Sequence, residues 1–344
     1  MIDRQGLLES IAQTMADYRK GEIAPPTPAH VDRWVKQFAN DYQVLLLREI
    51  DHVLKHTYFS LERVTGFLRG LVQTERLVGE DPCAFWRGVN FLDIHQGGNS
   101  QTEMLALFGE LLKEKHGFGI DECGGEGLVY VYLDDAIFTG NRVRRDLEAW
   151  IKDIAPAKST LHIVSIAQHS GGKYYAGGYI TSAIAAAGKK IDVTWWRAIA
   201  LEDRKANSDT SDVLRPTSIP NDAPVKAYVD AMKYKPTLRK PGGVGPNALY
   251  SGEDGRNLLE QEFLKAGARI RQVCPNLGDT QRPLGHITLE TLGFGSLIVT
   301  FRNCPNNAPL ALWVGDPWYP LFPRTTNSQT AIKRLFEDLT KGVR

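Results

Sequence analysis

Cysteine is scarce in this chain. The 344 residues carry four, Cys83, Cys123, Cys274 and Cys304, far apart and without a CxxC pair. That spacing argues against a disulfide framework and against a thiolate metal knuckle, and it predicts a reducing, cytoplasmic setting. Long apolar runs are missing too. No stretch reaches the roughly 18 apolar residues of a membrane span, so neither a transmembrane helix nor a membrane partner is expected. The first residues, MIDRQGLLESIAQT, hold early charges without an apolar h-region and predict no signal peptide. Neither sign of charge dominates: 41 Lys plus Arg stand against 40 Asp plus Glu, a net +1, which gives no global pull toward nucleic acid. No Walker P-loop, HExxH, Ser-His-Asp or Cys-His pattern occurs. His52 and His56 stand one helical turn apart, yet no third ligand accompanies them, and a solvated helix face is their expected role.

What is present is enough apolar content, 42%, to bury a full core. Apolar residues at helical spacing predict helices over 5–20, over 30–57 (Val31, Trp34, Phe38, Tyr42, Leu45, Leu46, Ile50 and Leu54) and from Ser60 to about residue 74. The first eighty residues thus read as a helical extension. From about Phe85 the pattern changes. FWRGVNFLDIHQ reads as one or two short strands, LVYVYL (128–133), LHIVSIA (161–167) and KIDVTWWRAIA (190–200) as strands, and helical patterns lie between them. Strands alternating with helices predict an α/β fold with a parallel sheet. Residues 202–247, polar and rich in Pro, Gly, Lys and Asp, read as a long irregular insert or lid outside the core. A helix is expected at 252–270, a strand at GSLIVTF (295–301), and a last helix within 327–344.

The stretch VYVYLDDAIFTGNR (129–142) carries the strongest chemical signal. It places Asp134 and Asp135 where the strand is expected to end, then Thr139, Gly140, Asn141 and Arg142 just before a helix. Ligands of open α/β sheets bind at the carboxyl ends of strands. Amides of a Gly-containing turn at a helix start bind phosphate, and adjacent carboxylates suit a pair of ribose hydroxyls. The two features together predict a cradle for a ribose 5-phosphate; the alternative is a strand end whose acids face solvent or cap the next helix. A second turn, Gln96-Gly97-Gly98-Asn99-Ser100-Gln101-Thr102, follows a strand-like segment and opens a helix. It is either an anion nest or an ordinary strand-to-helix turn. Lys173, after Gly171 and Gly172, is either a cation on a mobile catalytic loop or part of a surface loop. Asn303, Asn306 and Asn307 follow GSLIVTF and are expected at a carboxyl edge, where amides can read a base or phosphate. Trp313 and Trp318 either stack on a base or pack.

The pattern of apolar residues, two acids and a Thr-Gly turn resembles the 5-phosphoribosyl-1-pyrophosphate (PRPP) motif of type I phosphoribosyltransferases. Ala136 and Phe138 depart from it, Phe138 by narrowing the space for a phosphate. The segments KHTYFSLERVTGFLRGL, GEDGRNLLEQEFLKAG and RPLGHITLETLGFGSLIVTFRNCPNNAPLALWVGDPWYPLFPR resemble the PRTase-CE family, phosphoribosyltransferase-like proteins of bacterial conflict systems, some retrons among them. The resemblance implies a type I phosphoribosyltransferase-like sheet flanked by helices, with a helical extension at 1–80, the α/β domain at 81–326 and a final helix at 327–344. It implies Asp134, Asp135, Thr139 and Gly140 as site residues and adds Arg256, Arg282, Asn303, Asn306 and Asn307. Mg²⁺ bound with PRPP is the expected cofactor, because hard cations take phosphate and hydroxyl oxygens. The implied role is an anti-phage effector acting on PRPP or a nucleotide. A nucleotide sensor without turnover is one alternative. An interaction subunit that docks a reverse transcriptase with its nucleic acid is another.

Overall fold

The computed structural model describes residues 3–95 and 100–324. Expected site residues Gly97, Gly98 and Asn99, and the helix expected within 327–344, lie outside the described residues. By contacts the chain groups into two compact units. One is Leu61–Leu201; the other joins Met1–Ser60 to Glu202–Arg344. The boundary expected near residue 80 falls inside the first of these, because the helix that begins at Leu61 groups with the sheet.

Helix α1 (Arg4–Thr14) starts where the Asp3 carboxylate accepts the Gly6 amide, and it stops at Thr14 rather than near 20. The single helix expected over 30–57 is two: α2 (Pro28–Val35) and α3 (Asn40–Thr57). Thr27 caps α2, and Pro28 fills its first turn, where no amide partner is needed. Gln43 explains the break between them. Its Nε2 donates to the Phe38 carbonyl at 3.0 Å and to Asn40 Oδ1 at 2.9 Å, while the Phe38 ring packs against Trp34 at 5.2 Å. The side chain thus satisfies a carbonyl that a continuous helix would have used. Strand β1 (Tyr58–Phe59) follows.

The unit 61–201 runs α4 (Leu61–Val72), α5 (Glu75–Val78), α6 (Pro82–Arg87), β2 (Val89–Leu92), α7 (Ser100–His116), β3 (Val129–Ile137), α8 (Asn141–Asp153), β4 (Lys158–His169), α9 (Ser170–Ala186) and β5 (Lys190–Leu201). The four strands form one parallel sheet in the order β2-β3-β4-β5, so the expected α/β fold with a parallel sheet flanked by helices is what the chain adopts. Tyr132, Leu161, Ile163 and Ile191 from the sheet meet Val143, Leu147, Trp150 and Ile151 of α8 and Ala176 and Ile180 of α9 in one apolar core. Alternation sends Phe91 to the opposite face. There its ring meets Trp86 at 6.0 Å and Phe108 of α7 at 5.6 Å.

In the other unit, β1 pairs in parallel with β8 (Val299–Thr300). Of the expected strand GSLIVTF only these two residues form a strand. The segment 202–247 is not a lid outside the core. Asp212, Val213, Leu214 and Val225 are buried, α10 (Ala223–Asp230) is capped by Asp222, and Arg239 lies in the interior. Polar composition misleads here because the segment buries charge in pairs. Arg239 bonds Glu260 and Glu253 of α11 (Glu253–Val273), and Arg256 of the same helix shares Glu260. A hairpin of β6 (Gln281–Arg282) and β7 (Gly285–His286) and a short helix α12 (Leu310–Trp313) complete the described chain. Among the described residues no helix is long and apolar enough to cross a membrane.

Candidate functional site

Strand β3 does not stop at Leu133. It runs on through both acids to Ile137, and β4 keeps pairing with it, Asp134 opposite Ser165 and Ile137 opposite Gln168. Strand β2 ends earlier, with Leu92 opposite Tyr132. Among the described residues, 134–137 therefore have a strand neighbour on one side only, and the carboxyl edge of the sheet opens there. Two amides of this stretch are taken by its own acids: the Asp135 N–H donates to Asp134 Oδ1 at 2.8 Å and the Ala136 N–H to Asp135 Oδ1 at 2.7 Å. Successive side chains of a strand point to opposite faces, so the two carboxylates are not a side-by-side pair. Asp134 shares the Tyr132 face and is 4% exposed, whereas Asp135 is half-buried.

Asp134 sits in a network that sequence reasoning missed. His95, just past β2, has a side chain only 2% exposed. Its Nε2 lies 2.8 Å from the Tyr132 hydroxyl, 3.2 Å from Asp146 Oδ2 and 3.4 Å from Asp134 Oδ2. The Tyr132 hydroxyl donates to Asp146 Oδ2 at 3.0 Å, so its oxygen is left to accept. All three neighbours of Nε2 are then acceptors, which places the imidazole proton on Nε2. On the other ring nitrogen, Nδ1 stands 3.5 Å from Ser100 Oγ. The main chain beneath is fixed by buried Gln101, whose Oε1 accepts the Ile94 and His95 amides at 2.7 and 3.1 Å. The environment drives the two acids apart. Burial pushes Asp134 up, but hydrogen bonds and charge from His95, with the Asp135 amide and Ser100, outweigh it and hold the carboxyl below its ordinary pKa. Asp146 is raised by burial against the pull of His95, Tyr132 and Arg142. Burial likewise raises Tyr132, helped by the two acids. The signal that could have found His95 is the one that found Asp134, a titratable side chain just past the carboxyl end of a parallel strand. Asp146 carries no such mark, since it lies inside α8.

The turn after β3 is built by glycines. Gly140 has φ +76°, and a Cβ there would meet the Gly172 carbonyl oxygen at 2.2 Å; a Cβ on Gly172 would meet the Phe138 oxygen at 1.8 Å. Main chain packs directly on main chain, which only glycine permits. Gly140 provides no side-chain cap to α8, and the Asn141 amide has only a 3.5 Å contact with Thr139 Oγ1. The start of α8 thus presents first-turn amides and the positive end of a helix dipole to the edge where Asp135 stands. Arg142 is exposed there. Arg144 instead turns to α9, its guanidinium 4.7 Å from the Tyr179 ring centre. Lys173 is not on a mobile loop. It lies in the first turns of α9, its Nζ 5.9 Å from the Trp195 ring centre, with its pKa lowered by burial and by Arg197.

The remaining expected residues belong to the other unit. Arg256 is fully buried, and its donors go to Glu260, to the Gly243 and Val213 carbonyls and to Ser211 Oγ. Asn307 Nδ2 donates to the His286 carbonyl at 2.8 Å, and the Asn306 carbonyl accepts the His286 amide. Asn303 closes a turn with Thr300. Asn307 thus holds main chain with its side chain, while Asn303 and Asn306 bond through their own main chain. Arg282 lies in β6 and keeps a buried Nε without a hydrogen-bond partner among the described residues. Both tryptophans pack: Trp313 Nε1 donates to the Ala308 carbonyl and Trp318 Nε1 to that of Ala311.

No group of three or more His, Cys, Asp or Glu among the described residues could hold a metal ion. A Mg²⁺ here would be held chiefly by ligand oxygens, as hydrated Mg²⁺ in phosphate complexes is. Among protein families, residues 31–324 match PRTase-CE. No curated protein and no solved structure matches the chain.

Proposed function

The chain belongs to the PRTase-CE family and is thus phosphoribosyltransferase-like, and we propose that it binds PRPP or a nucleotide 5-phosphoribose at the carboxyl edge of β3. The 5-phosphate lies on the amides of Thr139, Gly140 and Asn141 at the start of α8. Asp135 faces the ribose hydroxyls, and Asp134 supports it from beneath. The observation that carries this reading is the turn itself: an uncapped helix start set within a few residues of the acids by packing of Gly140 on Gly172.

Chemistry at C1 follows from this placement. Departure of pyrophosphate builds positive charge on the ribose ring, and an ionised Asp135 at the hydroxyls, with ionised Asp134 below it, stabilises that charge. Mg²⁺ bound with PRPP would be held by the ligand's own oxygens and would supply positive charge to offset that of the leaving pyrophosphate. The electron pair of the C1–O bond leaves with pyrophosphate, and a base or water takes its place. The motivating resemblance also suggests an anti-phage effector paired with a reverse transcriptase, which copurification tests. Calorimetry with PRPP and Mg²⁺ tests the site. Saturable binding that Asp135→Asn weakens about tenfold, the order of one hydrogen bond to a charged group, supports it, and absence of binding by the wild-type chain refutes it. Pyrophosphate release separates turnover from sensing.

A further inference from the structure

The two acids of the motif do different work, and we infer that His95 is a positioning residue that acts through Asp134 on Asp135. This inference rests on the phosphoribose reading of the site. The observations form a chain of contacts. Gln101 fixes the main chain at His95 by accepting hydrogen bonds from the Ile94 and His95 amides on one oxygen. Tyr132 and Asp146 fix the imidazole from the β3 and α8 sides. The imidazole Nε2–H and Ser100 bear on Asp134, and Asp134 Oδ1 holds the N–H of Asp135.

Asp134 has no room to act as the contacting group. Its carboxylate is nearly inaccessible, and each oxygen is committed: one to the Asp135 amide, the other to His95. Asp135 is the acid that solvent and ligand can reach. Among the described residues, β2 pairing with β3 ends at Leu92, and beyond it the Asp135 amide is held by Asp134 Oδ1, the last link of the buried network. His95 thus fixes the angle at which Asp135 meets a ribose, while the phosphate turn at Thr139–Asn141 is held independently by Gly140 and Gly172.

That separation gives the test. Binding of ribose 5-phosphate and of inorganic phosphate is measured for the wild-type chain, His95→Ala, His95→Gln, Asp135→Asn and the His95→Ala/Asp135→Asn double variant. The expected result is about a tenfold loss of ribose 5-phosphate affinity in His95→Ala, and a loss within about threefold in His95→Gln, whose amide keeps a donor near Nε2. Inorganic phosphate affinity should not change. In the double variant His95→Ala should add nothing to Asp135→Asn, because both act on one contact. Equal losses for both ligands, or additive losses in the double variant, overturn the inference and leave the site reading standing. No binding of ribose 5-phosphate by the wild-type chain overturns both. Nitrogen-15 spectra of the histidines in the ligand-free chain, with His95 assigned by its loss in His95→Gln, provide a readout independent of ligand. A proton on Nε2 is expected; a ring protonated only on Nδ1 overturns the inference.

Discussion

Gly172→Ala is the sharpest perturbation the fold offers, because its cost follows from one close approach. A Cβ at this position would stand 1.8 Å from the Phe138 carbonyl oxygen, whereas ordinary contact begins at 3.4 Å. The two main chains would have to separate by the difference, 3.4 − 1.8 = 1.6 Å. Neither partner is a flexible side chain that could turn aside, so the cost belongs at the upper end of the overpacking range, about 3 kcal/mol. Alanine returns about 1 kcal/mol through helix propensity, leaving a net loss of about 2 kcal/mol. Gly178, on the same helix, is exposed, and a Cβ there would meet nothing within 4 Å; Gly178→Ala should therefore gain up to about 1 kcal/mol. Paired urea denaturation of the two variants, followed by circular dichroism, should separate them by about 3 kcal/mol. At roughly 2 °C per kcal/mol for a large domain, melting points should differ by about 6 °C. The same displacement pulls the Thr139–Asn141 turn off its support, so Gly172→Ala should also weaken inorganic phosphate binding while Gly178→Ala does not. Equal stability of the two variants would refute the claim that main-chain contact builds the turn.

Glu260 bonds both Arg239 and Arg256 in the interior. Glu260→Gln leaves the buried Arg256 guanidinium without its anion and Arg239 with Glu253 alone, and should cost about 3–5 kcal/mol in chemical denaturation. The pKa of Glu202 is held down to about 2, first by the hydrogen bond from the Arg204 guanidinium, then by the Arg204 amide and Asn207, against the upward push of burial. Its folded pKa lies below the ordinary glutamate value of 4.5, so its contribution to stability is full at neutral pH and is lost as pH falls from about 4.5 through 2. Denaturation series across that window should show a smaller acid loss in Glu202→Gln than in the wild-type chain. Asn307→Ala removes the donor to the His286 carbonyl and should destabilise by about 1 kcal/mol without changing ligand affinity, since this asparagine supports main chain.

The repeating sheet of residues 89–201 was readable because a parallel strand buried on both faces is written as an unbroken apolar run. LVYVYL and LHIVSIA mark their strands in this way, whereas KIDVTWWRAIA, the half-exposed edge strand, is marked by its β-branched and aromatic residues. The end of β3 was not readable in the same way. Acids normally signal a strand end, but here the burial of Asp134 is offset by His95, a partner whose approach depends on how the chain folds back. Helix α9 shows a similar limit. The two glycines before Lys173 read as loop because glycine weakens helices, and the turn at Phe138–Gly140 on the other side of the contact explains Gly172. In the 202–247 segment the arginine and glutamate partners lie in separate stretches, Arg239 against Glu260, and local composition carries no trace of that pairing. The candidate site followed the same rule. Its local half, Asp135 and the Thr139–Gly140 turn, is contiguous in sequence. His95 and Asp146 reach it from other elements.

The order of the chain has a consequence for synthesis. The unit from Leu61 to Leu201 is one uninterrupted stretch and can close its sheet as soon as β5 has emerged. The first sixty residues have to wait. Tyr58 pairs with Val299, the Tyr18 hydroxyl reaches the Pro323 carbonyl, and Trp34 Nε1 reaches the Ala311 carbonyl. Their partners are made only after β5. Contacts so distant in sequence form slowly, so the parts of α1–α3 that meet this later segment remain uncovered until it is made, and a nascent chain arrested after residue 201 would display a finished sheet together with an earlier segment that chaperones can hold.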